Sequence, residues 1–188
     1  MDQYTITRAG LREYASLRGK YYYWRRIGTH EWQSYTDPQP STQDTPEAAV
    51  PPEPLYLSLV RQRQPEPQGH HWLLFISREG HAGTVYQVKG DHTFMVYKHK
   101  ENIDIVNSAS FQDIFHLAQL DQSRTQRVQH WVNQEPPPRA ASQAEVTETC
   151  QSWTLRVICR LIDEEIVQGE WHERLRQMID SPILLGRR

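Results

Sequence analysis

Residues 69–77 read "GHHWLLFIS", and the uninterrupted apolar run from Trp72 to Ile76 constrains the fold more than any other stretch of the chain. A short apolar run bounded by turn formers reads as a buried β-strand. Such a strand needs partners, and the flanking sequence supplies them. "LYLSLVRQR" (55–63) alternates early and reads as a strand before it. After the turn material "REGHAG", "TVYQVKG" (84–90) returns as the second arm of a hairpin, and "TFMVYKHK" (93–100) is a further antiparallel strand. "DIFHLAQL" (113–120) fits strand or helix, with strand preferred.

Helical patterns follow. "DQSRTQRVQHWVNQ" (121–134) predicts a helix capped at Asp121 or Ser123 and ended by Pro136, Pro137 and Pro138. The longest predicted helix lies in "EVTETCQSWTLRVICRLIDEEIVQG", with Thr147 or Thr149 as N-cap and Gly169 as stop. Positions 153, 157, 158, 161 and 162 form its apolar stripe. "EWHERLRQMI" is a last amphipathic helix. The expected class is α+β, an antiparallel sheet packed against helices. No strand–helix alternation and no Gly-rich phosphate loop argues for a nucleotide-binding sheet.

Four segments are expected: an aromatic-rich arm at 1–36, a Pro-rich linker at 37–54, one α+β domain at 55–180 and a tail at 181–188. Within the arm, "GLREYASL" can form a short helix. Its aromatics Tyr21, Tyr22, Tyr23, Trp24, Trp32 and Tyr35, with Arg25 and Arg26, could stack on a partner. The plainer expectation is a β-hairpin or extended arm folded back on the main domain.

Composition narrows the function classes. Net charge is −2 with both signs scattered, so no basic stripe suggests a nucleic-acid surface. No signal peptide and no membrane-length apolar run is visible, so a cytoplasmic location is expected and no membrane partner. Cys150 and Cys159 fall nine residues apart on one predicted helix. At ~1.5 Å per residue their Cα atoms stand ~13 Å apart, too far for a disulfide. His70, His71, His81, His92 and His99 follow no metal-ligand rhythm, so neither a metal nor another cofactor is expected. Asp163, Glu164 and Glu165 read as a solvated helix face.

Cys150 is the distinctive candidate. It opens the long helix in "TETCQSWT", among residues too polar for an ordinary core cysteine, whereas Cys159 between apolar neighbours reads as a small hydrophobe. The N–H groups at a helix start favour an anion, so the thiol is expected to move toward thiolate, a nucleophile. A nearby imidazole would serve as general base, and the histidines at the mouth of the buried strand supply one.

"HWLLFIS", then "GTVYQVKG", then "TCQSWT" together resemble a family of small, mostly uncharacterised fungal proteins, over about residues 55–168. The order histidine before cysteine also resembles the circularly permuted papain-like group that includes lecithin–retinol acyltransferase relatives. That resemblance implies a circularly permuted papain-like cysteine-hydrolase architecture, with Cys150 as nucleophile and His71 as general base. His70, one residue earlier, would face the other side of the strand. Gln87 would orient the imidazole if residue 73 pairs with 87; a one-residue slip would favour His81 or Tyr86 instead. A glutamine here departs from the acid or second histidine of the acyltransferase relatives. The backbone N–H groups of Cys150 and Gln151 would hold the oxyanion. Trp153 and Trp72 are expected to pack in the core.

Two readings follow. One is thiol-dependent acyl transfer, or amide, ester or isopeptide hydrolysis, on a small-molecule or peptide substrate. The other is a non-catalytic binding module of the same fold that recognises a peptide or small metabolite. The sequence leaves the oligomeric state open.

Overall fold

A computed structural model describes residues 4–9, 12–36, 53–65 and 69–180. The proposed linker, apart from its last two residues, and the tail lie outside the described residues.

Among these residues the chain forms two antiparallel sheets and three α-helices, and neither sheet closes into a barrel. The class is therefore α+β, with one sheet more than the sequence suggested. The first sheet is a meander of β1 (Thr5–Ala9), β2 (Arg12–Leu17), β3 (Lys20–Arg26) and β4 (Gln33–Ser34). The helix expected at "GLREYASL" is instead β2, paired on both edges with β1 and β3. Ladder bonds on two sides outweigh the weak local preference of a helix this short.

The second sheet holds β5 (Leu55–Arg63), β6 (His70–Arg78), β7 (Gly83–Asp91), β8 (Phe94–Ile103) and β9 (Phe111–Leu120), in the order β8-β7-β6-β5-β9. The ambiguous segment near 113–120 is thus a strand, carried back to the free side of β5. α1 (Gln122–Gln134), α2 (Cys150–Asp163) and α3 (Glu170–Arg176) follow it. Asp121 caps α1 by accepting from the Arg124 N–H at 2.8 Å.

The absence of a polar position from Trp72 to Ile76 has a direct cause: β6 is covered on both faces. Trp72, Leu74 and Ile76 join the helix-side core with Val128, Trp153, Val157, Ile158 and Leu161. Leu73 and Phe75 face the other way, packing with Val60, Val85, Ile114 and Ile27 of the arm. The arm is held at three further places. Arg12 and Arg26 both reach Glu79, the former at 2.6 Å, and Arg26 also donates to the Tyr56 hydroxyl at 2.8 Å. Gly28 lies so close to β9 that a Cβ there would meet the Ile114 carbonyl oxygen at 1.8 Å. The arm's cationic groups stack within the chain, Arg25 on Trp32 and Arg26 on Tyr56, while Tyr21, Tyr22 and Tyr23 stay exposed.

α2 ends earlier than Gly169. The Ile166 N–H bonds the Leu161 carbonyl and the Glu165 N–H the Ile162 carbonyl, with Glu165 at φ +56°. That reversal satisfies the last carbonyls and packs Ile166 into the helix-side core, so Gly169 instead precedes α3. Glu164 is not merely solvated: it bonds Arg127 and accepts the Trp131 indole N–H at 2.8 Å, joining α1 to α2.

Candidate active site

Thr149 fixes the start of α2. Its hydroxyl accepts the Gln151 N–H at 3.2 Å, and its own N–H goes to the Ser152 hydroxyl at 2.7 Å. This reciprocal cap leaves Cys150 as the first helical residue. Trp153, fully buried, anchors the same turn and donates its indole N–H to the Glu135 carbonyl at 3.1 Å.

Three backbone N–H groups, those of Trp72, Cys150 and Gln151, favour the ionised form of the Cys150 thiol. Of these, Trp72 is the one on the sheet rather than on α2. The β6–β7 pairing covers Leu74, Phe75 and Ile76 and stops there, so Trp72 stands beyond the ladder. A slot is left there, where β7 separates from β6, with Cys150 in the core on its helix side.

His71 and Gln87 span that slot. The pairing Leu74↔Tyr86, continued by one residue, sets Leu73 opposite Gln87 and makes Gln87 the diagonal neighbour of His71. Their side chains meet: His71 Nε2 donates to Gln87 Oε1 at 2.9 Å. That bond leaves Nδ1 as the free, basic nitrogen of a neutral ring. Strand alternation turns His71 toward the side of Leu73 and Phe75, whereas Cys150 belongs to the helix-side core with Trp72. By this alternation His71 and Cys150 belong to opposite faces of β6.

The electrostatics differ from the sequence expectation for the thiol. Burial pushes the Cys150 thiol above the ordinary cysteine range, more than the three N–H groups lower it, and Asp180 adds to the rise. A helix start thus does not make this sulfur a resting thiolate, because only 6% of the residue meets solvent. Burial likewise lowers the His71 pKa; the Gln87 bond opposes that shift and Lys89 reinforces it. At neutral pH the resting pair is a protonated thiol and a neutral imidazole.

Gln151 contributes through its side chain as well as its backbone. Its amide nitrogen donates to the His70 carbonyl at 2.8 Å and to Asp180 Oδ2 at 2.7 Å, and its amide oxygen accepts the Asp180 N–H at 2.9 Å. Asp180 also accepts the His70 backbone N–H at 2.7 Å, while the His70 ring lies between Asp180 and Gln112. Burial raises the Asp180 pKa, but these hydrogen bonds together outweigh it and hold the carboxyl low. Asp180 is the residue that sequence reasoning missed: it lies 110 positions from His70 in an unremarkable stretch, and only the folded chain joins them.

His81, the alternative third residue, sits in the hairpin turn paired with Glu53 at 3.1 Å, and Tyr86 faces the helix-side core. Cys150 and Cys159 are free thiols, and Cys159 is only partly buried. Among the described residues no group of three or more His, Cys, Asp or Glu could hold a metal ion, and no helix is long and apolar enough to cross a membrane.

A protein-family model matches residues 57–168, from early β5 to just past the α2 reversal; it describes a family of unknown function, DUF6540. No curated protein and no solved structure matches the chain.

Proposed function

The chain belongs to the DUF6540 family, whose function is unknown, and from the geometry of its own residues we propose that it performs thiol-dependent acyl transfer or amide, ester or isopeptide hydrolysis. What supports this reading is a Cys150 thiol at the start of α2, whose ionised form the Trp72 backbone N–H favours, and a His71 ring held by Gln87 one residue before Trp72 on β6. The histidine strand precedes the cysteine helix, as in a permuted papain-like architecture, and that relation is part of the proposal.

The chemistry begins from the neutral pair. His71 Nδ1 takes the thiol proton as sulfur bonds the substrate carbonyl carbon, so thiolate exists only as it reacts. The carbonyl π electrons move onto oxygen, and the amides of Cys150, Gln151 and Trp72 are the donors within reach of that charge. The Gln151 N–H is shared with the Thr149 hydroxyl, which leaves the Trp72 amide as the freer strand-borne donor. Collapse breaks the carbonyl–heteroatom bond, and His71 returns its proton to the leaving amine or alcohol. Water or an acceptor hydroxyl or amine, deprotonated by His71, then attacks the acyl-thioester and restores the thiol. Gln87 keeps the ring in the tautomer that presents Nδ1, without adding charge.

A second reading has its own support: both reacting groups are buried, His71 at 7% exposure and Cys150 at 6%, and the thiol is held protonated. A binding module of the same fold would keep the slot without turnover. Incubating the protein with p-nitrophenyl acetate and measuring the intact mass separates the two. The catalytic reading predicts an acetyl adduct on Cys150 that His71→Ala abolishes. An unmodified Cys150 after prolonged incubation supports the binding module.

A further inference from the structure

A cavity of about 380 Å³ lies between the arm and the sheet edge; the loop after β3, Phe115 and His116 of β9, and Trp171 and Arg174 of α3 line it. Its volume falls within the ~300–1,000 Å³ of small-ligand sites. One wall is aromatic: the Phe115 and Trp171 rings meet edge to face with centroids 6.4 Å apart. The Arg174 guanidinium lies over the Trp171 ring at 4.6 Å. It has no carboxylate partner among the described residues, and neither does Glu31 on the loop, although both charges line one cavity.

His116 adds a buried polar atom without a partner. Its Nδ1 lies 3.0 Å from the Ser58 hydroxyl, while its Nε2 is buried with no hydrogen bond. With Ser58 donating to Nδ1, Nε2 carries the ring hydrogen and lacks an acceptor. We propose that this cavity binds a small zwitterion with a flat apolar side chain, the chemistry of an aromatic α-amino acid. The ligand carboxylate meets Arg174, its ammonium meets Glu31, and its ring lies against Phe115 and Trp171. A zwitterion answers both unpaired charges at once and leaves the net charge of the site unchanged.

The test is a titration of the full chain with L-phenylalanine, followed by tryptophan fluorescence and by calorimetry. Saturable binding is expected. Phenylacetate, which lacks the ammonium, and phenethylamine, which lacks the carboxylate, are each expected to bind on the order of tenfold more weakly, as for loss of one charge-assisted hydrogen bond. Arg174→Gln should reduce L-phenylalanine affinity to that of phenethylamine and leave phenethylamine itself unaffected; Glu31→Gln should do the same relative to phenylacetate. Both residues are exposed, so neither change threatens the fold. Absence of saturable binding, equal affinity for the three probes, or an Arg174→Gln variant that binds like the parent each overturns the assignment.

Discussion

His71 donates its Nε2 hydrogen to Gln87 Oε1 across 2.9 Å, joining β6 to β7 beyond the last rung of their ladder. The bond does two things at once. It satisfies two buried polar side chains, and it decides which ring nitrogen is free to act as a base.

Replacing Gln87 by Ala should therefore lower stability and reactivity together. The unpaired His71 N–H costs about 1–3 kcal/mol, read as a lower urea midpoint with unchanged slope. The rate of Cys150 acylation should fall by roughly tenfold or more as the ring loses its fixed tautomer. Gln87→Glu should recover the orientation and raise the His71 pKa, since a carboxylate stabilises imidazolium. Its acid limb in a pH–rate profile should shift upward.

Asp180 offers a second handle. Asp180→Ala removes the acceptor shared by the His70 amide and the Gln151 side chain, and should cost about 1–3 kcal/mol in a denaturant titration. Gly69→Ala should act on the same contact: its φ is +67°, and a Cβ would lie 2.7 Å from the Asp180 carboxylate. Because Asp180 also raises the Cys150 pKa, Asp180→Asn should lower the pH at which the thiol ionises.

Acid sensitivity has an identifiable source. Burial, and secondarily Arg26, lowers the His116 pKa from 6.5 to about 4. The unfolded chain then binds a proton that the folded chain refuses between those values, so stability rises with pH through this window. The full contribution is present above pH 6.5 and is lost as pH falls toward about 4. About 3 kcal/mol should disappear over that range by linkage. Thermal melts of the parent and His116→Gln across it should show a flatter profile in the variant.

Gly28→Ala tests how the arm is held. With φ at +90° and the Ile114 carbonyl oxygen 1.8 Å from the would-be Cβ, the loop cannot keep its place on β9. The variant should lose more than about 1 kcal/mol of stability, and limited proteolysis should cut the arm sooner.

Local patterns carried much of the fold. The β5–β8 segments, the Asp121 cap and the apolar stripe of α2 each follow from spacing that one element imposes on its own residues, whereas the spacing of β9 fitted strand or helix alike. What escaped depends on distant partners. β2 is a strand because β1 and β3 flank it, and α2 ends at Asp163 because the chain reverses at Glu165 and Ile166 finds the core. Within the candidate site, the His71–Gln87 contact was legible once a hairpin register was assumed. The protonation of Cys150 was not, since it is set by burial under elements far away in sequence. The Trp72 amide and Asp180 left no signal in the sequence, because backbone groups and isolated acids carry no motif.

The central claim is that His71 activates Cys150 through its Nδ1. Iodoacetamide alkylation of Cys150, followed by peptide mass across pH 6–10 in parent and His71→Ala, with Cys159 as internal reference, tests it most directly. The account predicts that His71→Ala slows Cys150 labelling at neutral pH by roughly 10²-fold or more and leaves Cys159 unchanged. Contradiction would be a Cys150 profile that follows a free thiol in both proteins, with the imidazole making no difference.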